Sequence, residues 1–149
     1  MTAKQVLKKL EGLGDEKTRA RHLKNGAGKN LYGVLMGSLR KVAKEIKTNH
    51  DLGLELWETE NLDARLVAIL VMQPKELSMA ELAKMVRAAK FYWLADWMNA
   101  YIVKKHPEKE KLRDKWMVAK NPMLARAGWN LTAERVGKSP EGLDLDALL

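Results

Sequence analysis

Apolar residues along this chain recur at the three- and four-residue steps of a helix, and β-branched residues never alternate with polar ones over a useful length. Met36, Leu39, Val42, Ala43 and Ile46 make one such stripe, with Lys41, Lys44, Glu45 and Lys47 facing away from it. The punctuation agrees: Pro74, Pro107, Pro122 and Pro140 each fall between periodic stretches or at the start of one. Helices are expected over about residues 3–11 and 15–25, the second ended by Asn25-Gly26-Ala27-Gly28. Asn49 or His50 starts a short helix carrying Leu52, Leu56 and Trp57. Residues 61–72 form another, and Ser78-Met79-Ala80-Glu81 reads as a capping box opening a helix to about Ala89. Residues 91–105 form the next, Pro107 sits at the first position of one bearing Leu112 and Trp116, and Asn121-Pro122 begins one that runs to about Val136. Ser139-Pro140 breaks the chain before a last helical start at Asp144.

The helices alternate in character. Those near 50–58, 78–89 and 107–119 carry many charges, whereas those near 61–72, 91–105 and 122–136 are more apolar and lie between them. Stacked helical hairpins, each burying one helix and exposing the other, produce that alternation. Ala64-Arg65 in one inner segment is echoed by Ala125-Arg126 in another, with Asp96 between them at intervals of 31 and 30 residues. Such a period with two helices per unit marks an all-α solenoid of HEAT or armadillo kind; a compact helical bundle is the simpler alternative. The reading is one helical-repeat domain over 1–149, with basic N-terminal helices in 1–30, HEAT-like helix pairs in 31–136, and the start of an unfinished repeat in 137–149. An unfinished repeat would leave Leu143, Leu145, Leu148 and Leu149 exposed, and homo-oligomerisation or fraying is expected there.

At 149 residues and 46% apolar content, the chain can bury one sizeable core. No run of 18 apolar residues occurs and the N-terminus lacks an apolar signal core, so neither a membrane span nor a secretory signal is expected. The absence of cysteine excludes disulfides, thiolate metal sites and cysteine nucleophiles, and a cytoplasmic setting is the natural expectation. Charge changes the picture more. Residues 1–47 hold 12 of the 27 Lys and Arg but only 4 of the 19 Asp and Glu, so the whole excess of +8 lies in the first third. A basic segment on an otherwise balanced protein suggests a polyanionic partner such as nucleic acid, although a solvated basic surface is the bland alternative.

Little catalytic apparatus is visible. His22, His50 and His106 lack neighbours at metal-ligand spacing, so no metal is expected and each histidine reads as a surface or cap residue. No P-loop, GxSxG or dinucleotide fingerprint occurs, and no cofactor is implied. The segment Lys24-Asn25-Gly26-Ala27-Gly28-Lys29-Asn30 has the composition of a phosphate-contacting loop, with Lys29 at its end; a helix C-cap and connector explains it equally. The unusual stretch is Phe91-Tyr92-Trp93-Leu94-Ala95-Asp96-Trp97-Met98-Asn99, a carboxylate set among aromatics. Tyr92 and Asn99 stand at helical spacing from Asp96. A carboxylate among aromatics must pair, protonate or open into a cleft. Arg65 or Arg126, at comparable places in the flanking inner helices, could reach it. It then either locks two repeats together or faces a positively charged reacting centre.

The run Tyr32-Gly33-Val34, Leu39-Arg40-Lys41-Val42-Ala43-Lys44-Glu45-Ile46, the helix Asp63-Ala64-Arg65-Leu66, the segment Ala95-Asp96-Trp97 and Ala125-Arg126-Ala127-Gly128-Trp129 together resemble the DNA alkylation repair (AlkD-like) family. The likeness spans roughly residues 30–149. It implies HEAT-like repeats curved around duplex DNA and, in active members, a DNA glycosylase that releases N3- or N7-alkylated purines. Asp96 matches that family's catalytic aspartate and Tyr92 its lesion-contacting aromatic, with Trp93 as the alternative alignment. Arg126 matches an arginine holding the DNA backbone, and Arg65, Arg40, Lys41 and Lys44 are further DNA-contact candidates. The implied chemistry suits a carboxylate: departure of a cationic purine leaves positive charge on the sugar, which a fixed anion stabilises. Such members need not flip the base into a pocket, unlike most enzymes that act on duplex bases. Two departures stand out. The chain ends before a later repeat that supplies another aromatic, and Tyr92 replaces a tryptophan. Fold and DNA affinity transfer more readily than catalysis. The expected function is therefore hydrolysis of the N-glycosidic bond of alkylated purines in duplex DNA, and the alternative is a non-catalytic HEAT-like module binding DNA or protein.

Overall fold

The computed structural model describes residues 1–138. Nine α-helices occur among the described residues: α1 (Ala3–Gly12), α2 (Glu16–Lys24), α3 (Met36–Ile46), α4 (His50–Glu58), α5 (Leu62–Val71), α6 (Met79–Ala88), α7 (Tyr92–Tyr101), α8 (Lys109–Met117) and α9 (Pro122–Lys138). Short 3₁₀ turns, Pro74–Glu76 and Val103–Lys105, precede α6 and follow α7. The helix starts follow from side chains that replace missing intrahelical acceptors. Ser78 and Glu81 form the expected capping box, and Thr2 with Gln5 forms a second at α1. Asn49, Asn61 and Asn121 each accept an amide of the first turn of α4, α5 and α9.

Helix α5 is the hub. Leu62, Ala64, Leu66, Val67, Ala68, Ile69 and Val71 are all buried, because α1, α3, α4 and α7 pack around it. A helix surrounded in this way needs apolar residues on every side. Contacts pass from α3 to α5, α5 to α7 and α7 to α9, so these helices form one inner row. Helices α4 and α8 pair with α5 and α9, and α6 also rests on α9. The α8–α9 approach requires Gly128, where an added Cβ would lie 2.5 Å from the Met117 amide nitrogen.

Two boundaries differ from the sequence reading. The expected helix over 91–105 stops at Tyr101, and α8 starts at Lys109 with Pro107 in the turn before it. Both changes trace to His106, which is buried and fixes the corner. Its Nε2 lies 2.8 Å from the Leu77 carbonyl, and its Nδ1 accepts the Glu108 amide at 3.0 Å. That tertiary anchor turns the chain where the local apolar pattern would have continued the helix. The expected start at Asp144 and the leucines at 143, 145, 148 and 149 lie outside the described residues.

A buried acid holds the N-terminal unit to the hub. Asp63, with no exposed surface, accepts the amides of Tyr32 at 2.6 Å, Gly33 at 3.3 Å and Val34 at 2.9 Å. This lays the Leu31–Val34 segment across the start of α5, and Val34 makes an isolated antiparallel bridge with Gly14. Gly33 adopts φ +79°, and a Cβ there would meet the Arg19 backbone at 2.6 Å, so only glycine fits.

Candidate nucleic-acid interface

The short stretch of chain at α7 that carries the aromatic residues splits them between two surfaces. Tyr92, Asp96 and Ala100 are exposed, four residues apart, whereas Leu94, Ala95, Trp97, Met98 and Asn99 are buried. Asp96 is thus not embedded among aromatics, and Asn99 does not share its face. The side chain of Asp96 is 57% exposed and accepts a hydrogen bond from Arg126 Nη2 at 3.0 Å; Arg126 itself is 46% exposed. Of the two arginines that could have reached it, α9 delivers Arg126. Trp129, one turn beyond Arg126, is also exposed. Two exposed aromatics therefore accompany an open ion pair, one on each helix. Sequence reasoning does not single out Trp129; a tryptophan three residues from Arg126 is the only local signal, and its exposure is set by packing.

Arg65 goes elsewhere. Its guanidinium lies 4.4 Å from the centroid of the Trp57 ring and Nε donates to the Trp57 carbonyl at 3.0 Å. Burial lowers its pKa from the usual arginine value. This packs Arg65 against α4, in a cleft shared with Glu58, Glu60 and Lys84 and away from Asp96. Arg40 joins the α7 aromatics: its guanidinium lies 5.0 Å from the Trp97 centroid and donates to the Tyr101 hydroxyl at 2.8 Å. Lys41 and Lys44 are exposed on α3, as is Lys29 in the loop after α2. That loop is a helix cap. The amides of Asn25, Gly26 and Ala27 bond back to carbonyls of Arg21, His22 and Leu23, so they are not free to approach a phosphate.

Trp93 turns inward beside His22, with ring centroids 5.1 Å apart, and stacks edge-on with Trp97. His22 is not the surface or cap residue expected from sequence: it is 3% exposed, wedged between Phe91 and Trp93. Burial first, and Arg21 second, lower its pKa below the ordinary 6.5, while Asp63 opposes them. The unfolded chain therefore binds the proton more readily than the folded one. Stability conferred by neutral His22 is complete above about pH 6.5 and declines as pH falls towards the lowered folded value. His22→Phe is expected to flatten that part of a stability–pH curve, measured by urea unfolding from pH 7.5 to 5 (roughly the span in which histidine titrates); an unchanged slope would contradict it. His50 is a cap, accepting the Gln73 amide through Nδ1 at 3.2 Å. Among the described residues no group of three His, Cys, Asp or Glu could hold a metal, and no helix is long and apolar enough to cross a membrane.

The chain is an all-α repeat protein whose inner helices α7 and α9 hold the Asp96–Arg126 pair open to solvent. The family described as DNA alkylation repair enzyme matches residues 3–149, and the chain belongs to that family. Among solved structures, one matches with a TM-score of 0.82 and 31% identity over 93% of this chain and 59% of its own. It is described as a new family of proteins related to the HEAT-like repeat DNA glycosylases with affinity for branched DNA structures. Two uncharacterized proteins are similar over 115 residues: Lin0241 of Listeria innocua at 27% identity and Lmo0209 of Listeria monocytogenes at 25%. The aligned region covers 75% of this chain and 51% of each of those relatives, so it spans about half of their length.

Proposed function

We propose that this chain acts in DNA repair by binding DNA on the face that carries Tyr92, Asp96, Arg126 and Trp129. The observation that carries this reading is the open Asp96–Arg126 pair with an exposed aromatic on each of its two helices. A surface ion pair is worth about 0–1 kcal/mol, so a DNA phosphate can take over the Arg126 guanidinium at little cost. Tyr92 and Trp129 offer flat apolar faces to exposed bases or sugars. Lys41 and Lys44 on α3, with the rest of the basic first third, supply further cations for the backbone. The structural relative's affinity for branched DNA makes a junction the first ligand to try beside plain duplex.

Binding carried by phosphate contacts must weaken steeply with salt, through counterion release. Anisotropy titrations between about 50 and 200 mM salt are expected to show a linear fall of log affinity with log salt concentration. Arg126→Ala should reduce that slope by about 1. No retention at low salt, or salt-independent binding, would overturn the reading.

The exposure of Asp96 favours a second reading, in which binding leads to hydrolysis. Its Oδ2 has no hydrogen-bond partner among the described residues, and Tyr92 stands one turn away. In an N3- or N7-alkylated purine the glycosidic electron pair leaves with the cationic base, which becomes neutral. The sugar carbon left behind is positive, and a carboxylate freed from Arg126 by phosphate stabilises it until water adds and loses a proton. Methylated duplex incubated with the protein then yields free methylpurine and heat-labile abasic sites. Binding without either product leaves the chain a non-catalytic DNA-binding member.

A further inference from the structure

We propose that the cleft bounded by α2, the start of α3 and the first turn of α7 accepts one unpaired nucleobase of the bound DNA, placed against Tyr92 and hydrogen-bonded by His22 and Trp93. The inference rests on the DNA-binding reading and names what that surface selects: a base already outside the duplex stack, as at a bulge or a strand junction.

The cleft encloses about 410 Å³, within the range of small-ligand sites. Its walls include Leu35, Met36 and Tyr92, each roughly half exposed. Three large apolar residues left open around one concavity form a surface that water covers poorly. Tyr92 leans on Phe91, with ring centroids 4.7 Å apart, which steadies its ring as a wall.

Polar groups in this region point to the kind of occupant. Both ring nitrogens of His22 and the Nε1 of Trp93 are buried without a hydrogen-bond partner among the described residues. Buried polar atoms are nearly always paired, so three orphans in two touching rings that line one cleft ask for a ligand. Neutral imidazole offers one N–H donor and one acceptor, and the indole adds a second donor. A nucleobase edge presents donors and acceptors side by side, and its flat faces suit apolar walls. A purely aliphatic occupant would leave all three nitrogens unpaired. Arg21, exposed at the cleft, is placed for the phosphate attached to such a base. The α2 wall also belongs to the basic first third of the chain, which complements a polyanion. Small shifts of the two rings on binding would turn their nitrogens to the base.

The test uses the full chain and DNA carrying 2-aminopurine, either unpaired at a one-nucleotide bulge or paired in the matching duplex. Fluorescence of the unpaired probe should be quenched on binding, and the bulged DNA should bind more tightly than the duplex. His22→Phe keeps the ring's bulk and removes its hydrogen bonds; it should lower the bulge-over-duplex preference about tenfold, as expected for loss of one or two such bonds. Leu35→Ala, at an exposed position where folding is not in question, should reduce the preference and the quenching together. Unquenched probe and an unchanged preference, with salt-sensitive duplex binding intact, would overturn this inference alone. Failure to retain any DNA would remove both it and the reading on which it rests.

Discussion

Asp63→Ala should lower the unfolding free energy by about 3–5 kcal/mol, a large part of the roughly 5–15 kcal/mol available to a domain of this size. The carboxylate is completely buried, and its two oxygens accept the amides of Tyr32, Gly33 and Val34. Bonds to an ionised acceptor are stronger than neutral ones, and removing the acceptor leaves buried N–H groups without water. The segment cannot readily find other partners. Gly33 is packed on the Arg19 backbone, and its carbonyl already accepts the Asp15 amide at 2.9 Å. A fall in urea midpoint at constant slope is the expected readout. A loss under about 1 kcal/mol would mean that the amides re-pair elsewhere.

The second large effect concerns chemistry. Under the proposed hydrolysis, Asp96→Asn should slow methylpurine release from methylated duplex by about 10²–10³-fold, the usual scale for losing one preorganised electrostatic stabiliser. The amide has nearly the carboxylate's shape but no charge to offer the sugar. DNA affinity should change little, because the cations remain and Arg126 is released from its partner. Release rate and affinity are therefore measured on the same substrate at one salt concentration. Equal release by the variant would remove Asp96 from the chemistry. A fall in affinity parallel to the fall in rate would instead make the pair a binding element.

Much of the architecture was legible because it is written in short-range terms. The stripe from Met36 to Ile46, the Ser78–Glu81 box and the Asn121-Pro122 start each depend on residues within a turn or two of one another. The apolar content of 61–72 marked an inner helix, and α5 is surrounded on all sides. The candidate interface was legible as an aromatic run with an acid inside it, but its geometry was not. Helical spacing alone left open which face of α7 would be outermost. Packing of α7 among its neighbouring helices buries Trp97 and Asn99 and leaves Tyr92 and Asp96 exposed. Likewise, two arginines had equivalent places in the repeat, and Arg65 was captured by Trp57 on a neighbouring helix.

Helix periodicity, caps and charge are properties of neighbouring residues, so the helical-repeat architecture and the positive charge gathered in the first third are readable along the chain. Tertiary packing places Arg126 on Asp96 in the open, buries His22 beside Trp93 along the cleft, and lets Asp63 fasten a segment thirty residues away. Those pairings depend on which faces the helices present to one another. A side chain's hydrogen-bond partners and its access to water are set by that packing, across distances that no local pattern spans.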